Sequence, residues 1–174
     1  MKRARFGWKI AAASLGLLAV SGFDGAAHAA QSSKNTLIDG TTDTVTNIDP
    51  AGQYNYGSDT VDREIFQHLM AFQPGSTVPS PELATGCTAD ETVTDWTCTL
   101  RQGVSFQNGD KFTSEDVKFS FERVIKIHDP SGIWSLLSNL KEVTTKGPYS
   151  VIFHLKAPQS TWEYILATSA AYIV

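Results

Sequence analysis

Cysteine and histidine are scarce here, two and four residues in a chain of 174. The two cysteines show no C-x-x-C spacing and no adjacent histidine, which gives a metal site or a redox centre little support. Basic side chains are few as well: 14 Lys and Arg stand against 18 Asp and Glu, a formal charge of −4. An acidic chain without a basic stripe argues against nucleic acid as a partner. No G-x-S-x-G elbow, no Walker glycine loop and no H-E-x-x-H is present. His68, His128 and His154 are far apart with unrelated surroundings, so nothing pairs a nucleophile with a base, and an exported hydrolase stands only as an alternative.

Long apolar runs are missing too, with one exception near the start. Lys2, Arg3, Arg5 and Lys9 form a basic head, residues 10–20 an apolar segment too short to span as a mature helix, and Ala27-His28-Ala29 an A-x-A cleavage site. Residues 1–29 therefore read as a signal peptide, removed on export, with an uncleaved membrane anchor as the alternative. Removal takes away four bases and only Asp24 among the acids, so the remainder is more acidic still. Residues 30–35 read as a polar, disordered leader without periodicity. The rest, residues 36–174, is long enough for one domain with a real core.

The centre of the chain is the run CTLRQGVSFQNGDKFTSEDVKFSFERV, residues 98–124. Trp96, Cys98 and Leu100 alternate with polar neighbours, the period of a half-buried strand. A second short strand is predicted at Val104 and Phe106, and Asn108-Gly109-Asp110 supplies a turn. Thr113 caps a helix, with Asp116 reaching back as in a capping box. That helix puts Val117, Phe121, Val124 and Ile125 on one face and Lys118, Glu122 and Lys126 on the other.

On either side the pattern is coarser. A first strand is expected at residues 36–38, then a connector ending at Ile48-Asp49-Pro50. A helix is expected at 59–70, with Val61, Ile65, Phe66, Leu69 and Met70 buried and Asp62, Arg63 and Glu64 wet. A short strand at 71–73 and an extended proline-rich link at 78–81 follow it. His68 one turn from Glu64 reads as an ordinary solvated pair rather than a metal site. After a break at 127–132, an apolar segment at 133–140 and a hairpin of strands 143–145 and 149–155 are predicted, with Val151, Phe153 and Leu155 inward and His154 and Lys156 outward. Ser160 caps a short helix through residue 167, and the chain ends as a strand begins.

The run from Thr99 to Arg123 resembles the signature of the family 5 solute-binding proteins of bacterial ABC importers, T-L-R-x-G-V-x-F-x-x-G-x-x-[FL]-T-[AS]-E-D-V-x-[FW]-S-x-x-R, almost without a gap. Pro81-Glu82-Leu83-Ala84 is similar to that family's P-x-L-A, and residues 149–158 (YSVIFHLKAP) to its Y-T-V-x-F-x-L-x-x-P strand. The resemblance implies an α/β fold, the N-terminal portion of a type II periplasmic-binding-protein clamp with an accessory mixed α/β subdomain. It implies a binder of a peptide or similar small solute, with no enzymatic activity, no cofactor and no resident metal, working as a monomer with a permease and an ATPase at the membrane. A nickel or metal-chelate binder on the same scaffold is the alternative.

Because that family is much longer, residues 36–174 are expected to be its N-terminal part, with the second lobe of the clamp and its anchoring residues lying beyond them. No high-affinity binding by this chain alone is expected. Many relatives are lipoproteins, whereas Val20-Ser21-Gly22 runs into Phe23, so a soluble periplasmic or extracellular protein is expected. By position in the resemblance, Asn47, Tyr54, Asn55 and Trp134 are the candidate ligand contacts. Tyr54 and Tyr56 read equally as surface packing, and Trp134 as core. The positions of Cys87 and Cys98 are commonly bulky and apolar in the family, so two facing side chains are expected to have become a cross-strand disulfide around a bend at Asp90-Glu91-Thr92.

Overall fold

The computed structural model describes residue 38 and residues 40–174. The expected signal peptide and leader and the first two residues of the expected first strand lie outside the described residues; Ile38 is exposed and in no strand. Residues 40–174 form one compact unit.

Four antiparallel strands make its main sheet: β3 (Ala84–Ala89), β4 (Asp95–Leu100), β5 (Leu140–Thr145) and β6 (Ser150–Leu155), in the order β3-β4-β6-β5. A separate ribbon pairs β1 (Met70–Phe72) with β2 (Pro79–Pro81). The proline-rich stretch expected as a link is thus an edge strand, where a missing N–H costs no ladder bond. Period-two alternation sends Trp96, Cys98 and Leu100 of β4 and Val151, Phe153 and Leu155 of β6 to one face, all buried. Trp96 lies opposite Phe153 and Cys98 opposite Val151.

Helix α2 (Ser114–Ile127) covers β5 and β6. Its start is as expected: Asp116 accepts from the Thr113 backbone N–H at 2.7 Å and from the hydroxyl at 2.9 Å, satisfying a first-turn donor. Val117, Phe121 and Val124 are buried, and the Phe121 ring packs 4.8 Å from that of Phe153. Ile125 is a correction. It is 39% exposed, because one further step around the helix turns it off the narrow stripe that meets the sheet.

Other boundaries move. The strand expected at Val104 and Phe106 is a tight loop held by the single bridge Ser105–Lys111, with both side chains half-buried against the core. Gly109 supplies its turn at φ +93°. The first strand of the expected hairpin, β5, begins at Leu140 rather than 143. Thr161, not Ser160, precedes the last α-helix, α3 (Trp162–Ile165), which ends before the expected residue 167 and is followed by a short 3-10 turn at Ser169–Ala171. Cys87 and Cys98 face each other across β3 and β4 and are disulfide-bonded, with Cys98 fully buried.

The largest correction concerns α1, which spans Tyr56–Ile65 rather than 59–70. Asn55 starts it by accepting the Ser58 N–H at 2.9 Å. It stops at Phe66 because the chain there turns extended: Gln67 pairs with Ile173 near the end of the chain, and Met70 donates to the Leu166 carbonyl. Leu69 and Met70 are buried as expected, but outside the helix. Asp62, predicted wet, is fully buried, and Ile65, predicted buried, is 44% exposed. His68 and Glu64 are therefore not neighbours on a helix. His68 stacks on Tyr172 at 4.3 Å and meets Glu82 instead.

Candidate ligand-binding face

The loop before α1 is fixed from behind by polar side chains. Asp49 closes the turn after Pro50 by accepting the Ala51 N–H at 3.0 Å, and Arg123 of α2 grips both its oxygens at 2.7 and 2.6 Å. This bidentate bond holds the Asp49 carboxyl below its usual range, against the opposing push of burial. Asn47 accepts the Asp49 N–H at 3.0 Å and donates to the Gly52 carbonyl at 3.4 Å. Close packing also requires Gly132 here, since a Cβ would stand 2.4 Å from the Ala51 carbonyl oxygen.

Further along, Gln53 is buried and donates to Asp62 at 2.7 Å, while its own oxygen accepts the Asn55 N–H at 3.1 Å. The other oxygen of Asp62 is buried with no partner among the described residues. Burial raises the Asp62 carboxyl above its ordinary value; the Gln53 bond opposes this, and the charges of Asp59 and Asp49 reinforce it. Ser58 accepts the N–H groups of Thr46 and Asn47, tying the incoming strand of the loop to the helix.

What this scaffold leaves uncovered is Tyr54, 61% exposed, and Tyr56, 70% exposed. The segment Gln53–Tyr56, with Asp59 and Arg63 of α1, Phe72 of β1, Leu136, and Ala167–Ser169, lines an open depression of about 310 Å³. Arg63 donates through Nε to Asp59 at 2.7 Å, and the Tyr172 hydroxyl donates to the other Asp59 oxygen at 3.0 Å. Burial and the Asp59 carboxylate together push the Tyr172 phenol above its ordinary range. Two exposed aromatic rings, an amide, a guanidinium and hydroxyls converging on one concavity suit a small polar solute.

Of the four residues singled out in the sequence, the structure brings Tyr54 and Asn55 together at this depression. Asn47 lies behind it and holds the turn. Trp134 lies elsewhere: it is half-buried, stacked on His128 at 3.6 Å, and not in the lining. Arg63 and the pair Thr168 and Ser169 were not foreseen. Arg63 read as the wet side of a helix, and nothing local in the sequence marks Thr168 or Ser169. A second, largely apolar depression of about 290 Å³ lies between Phe66, Leu83, Phe106, Phe112 and Ile173 and holds none of the foreseen residues.

The long signature in the middle of the chain does architectural work. Arg101 donates from Nε to the Glu82 carbonyl at 2.9 Å and from its backbone to Leu83, joining the two matched motifs. Ser114 donates to the Gly147 carbonyl at 2.7 Å, and Ser120 accepts the Val174 N–H at 3.0 Å. Among the described residues, no group of three or more His, Cys, Asp or Glu is placed to hold a metal ion, and no helix is long and apolar enough to cross a membrane.

Residues 78–174 match the family described as "Bacterial extracellular solute-binding proteins, family 5 Middle". Among curated proteins the chain is similar to the probable D,D-dipeptide-binding periplasmic protein DdpA of Escherichia coli strain K12, 30% identical over 152 residues, covering 85% of this chain and 29% of that one. Among solved structures it is similar to the binding protein AgaA in complex with agropinic acid from A. tumefaciens R10, with TM-score 0.66, 29% identity, and coverage of 75% of this chain and 26% of that one. It is also similar to NikZ from Campylobacter jejuni in complex with Ni(L-His), with TM-score 0.66, 26% identity, and coverage of 76% and 26%. The chain spans 22–29% of the length of the first curated relatives it matches. The fold is that of a portion of a type II periplasmic binding protein, and the chain belongs to the bacterial extracellular solute-binding proteins of family 5.

Proposed function

We propose that this chain supplies part of the first lobe of the substrate-binding component of an ABC importer, which captures a short peptide or similar small solute outside the cytoplasmic membrane and delivers it to a permease driven by an ATPase. The observation that carries the proposal is the Gln53–Tyr56 segment. Gln53 is bonded to Asp62 and Asn55 to the Ser58 N–H, Arg123 holds Asp49 in the turn just before, and the segment presents uncovered aromatic rings over a depression. A rigid half-site of this kind costs little ordering on binding, and closure of a second wall would bury the ligand and report occupancy as shape. Tyr54 and Asn55 are the proposed ligand contacts. Asn47 and Trp134 act at one remove, the first by holding the turn and the second by packing on His128. Export through residues 1–29, release without a lipid anchor, and action as a monomer without nucleic acid, cofactor or catalysis complete the proposal.

Calorimetry of the protein expressed from its full reading frame tests it, with a short-peptide panel in one arm and a chromogenic ester and peptide panel in another. Saturable peptide binding without product is expected; turnover, or no heat with any peptide, would overturn the proposal. The nickel-histidine complex of the similar NikZ structure favours one second reading, and a third arm with nickel and free histidine separates it.

A further inference from the structure

Arg63 stands in the wall of the Tyr54 depression, tied through Nε to Asp59 and lying against the Tyr172 hydroxyl. The side chain remains 65% exposed. Both Asp59 oxygens already accept protein donors, Arg63 Nε on one and the Tyr172 hydroxyl on the other. Asp59, only 14% exposed and already accepting two protein donors, serves as a support rather than as the open acceptor of a ligand's ammonium group. What it does is hold Arg63 at Nε, on the wall of the depression that the side chain lines while remaining largely exposed.

A fork held in this way matches a carboxylate in two parallel bonds at little entropic cost, which a flexible ammonium does not. Beside it lie the exposed rings of Tyr54 and Tyr56 and the side chains of Phe72 and Leu136. These provide apolar faces for the part of a ligand next to its acid group.

We infer that this depression is an anion subsite, in which the outer edge of Arg63 receives a carboxylate of the ligand while Tyr54 and Tyr56 flank the neighbouring atoms. The inference rests on the solute-binding proposal above and adds the chemistry that the first lobe selects. The carboxylate has two sources in a peptide, its C-terminus or an acidic side chain, and the two are separable.

The test uses the protein from its full reading frame and three probes: trialanine, trialanine amide, and trialanine amide with a glutamate in the middle position. Affinity for the free acid is expected to exceed that for the amide by about tenfold or more. If the side-chain carboxylate is the one received, the glutamate-containing amide recovers the affinity instead. Arg63→Gln is expected to bring acid and amide to within about twofold of each other, and Arg63→Lys to restore only part of the preference. Thermal melts of both variants confirm that they fold, and the comparison between probes is internal to each variant, so a general loss of affinity does not imitate the result. An acid preference that survives Arg63→Gln, or no preference for a carboxylate in the parent, overturns the subsite while leaving peptide capture intact. No binding of any of the three probes overturns peptide capture, and the subsite with it.

Discussion

Breaking the Asp49–Arg123 pair should loosen the proposed binding loop by an amount that can be bounded. The two side chains are 38% and 28% exposed and meet in two short bonds, and Asp49 also accepts the Ala51 N–H. Fully exposed pairs contribute about 0–1 kcal/mol, and hydrogen bonds to charged groups about 1.5–3 kcal/mol. With this much water nearby, screening discounts the upper figure, leaving a coupling of about 1–2 kcal/mol. A double-mutant cycle with Asp49→Asn and Arg123→Gln, read by urea denaturation, measures it. Because Arg123 holds the Asp49 carboxyl below its ordinary value of 3.8, the pair's stabilisation is complete above that value and is lost as pH falls through the lower folded value. The coupling should therefore be full at neutral pH and vanish in strong acid. Amide exchange should quicken at residues 51–56 in either single variant. A coupling under about 0.3 kcal/mol at neutral pH, or one indifferent to acid, would refute the reasoning.

Phe121→Ala, which empties a fully buried position against Phe153, should cost about 3–5 kcal/mol in the same denaturation assay. Gly132→Ala should cost about 1–3 kcal/mol, because its Cβ would meet the Ala51 carbonyl, a backbone atom that cannot swing aside. Asp62→Asn should gain on the parent as pH rises: the raised carboxyl of Asp62 contributes its full stability below 3.8 and loses it as pH rises through the folded value. Denaturation curves at acid and neutral pH decide it, and a variant that falls behind with rising pH would count against a burial-dominated Asp62. Reduction of Cys87–Cys98, whose partners are 11 residues apart, should lower stability by about 3 kcal/mol at most, read as a midpoint shift with and without reductant.

The parts of this fold that were legible in the sequence share one property: their causes are local. The alternation in β4 and β6, the Thr113–Asp116 capping box and the Gly109 turn are each decided within a few residues, and each stands where the pattern put it. The disulfide was legible for a different reason, as two facing positions in a resemblance. Where the pattern failed, the deciding partner was remote. Helix α1 ends because Gln67 is taken by Ile173, and a periodicity extended past that point put Asp62 on the wrong side. The Asp62 burial itself depends on Gln53, whose amide substitutes for water. Ile125 misled by a single step of rotation, which no composition distinguishes when the covered sheet is narrow.

The candidate site shows a sharper division between what a chain must keep and what it can vary. Of the residues in the long signature, Arg101, Ser114, Asp116 and Ser120 are bonded to backbone and Arg123 to the Asp49 carboxylate. None of them lines the Tyr54 depression. A signature of this kind identifies the scaffold because its polar groups, buried in the case of Ser114 and Ser120, are satisfied by particular partners in the fold. The exposed lining obeys no such constraint: Tyr54, Tyr56 and Arg63 could be exchanged without leaving a buried donor unpaired, which frees their identities for the proposed ligand chemistry. The two sets meet at Asp49. Its carboxylate closes the turn that presents Tyr54, and its partner Arg123 is the last residue of the signature, so one ion pair links the framework to the proposed binding surface. A change in Arg63 should then alter which solute is held while the melting curve moves little, whereas a change in Arg123 should move both together.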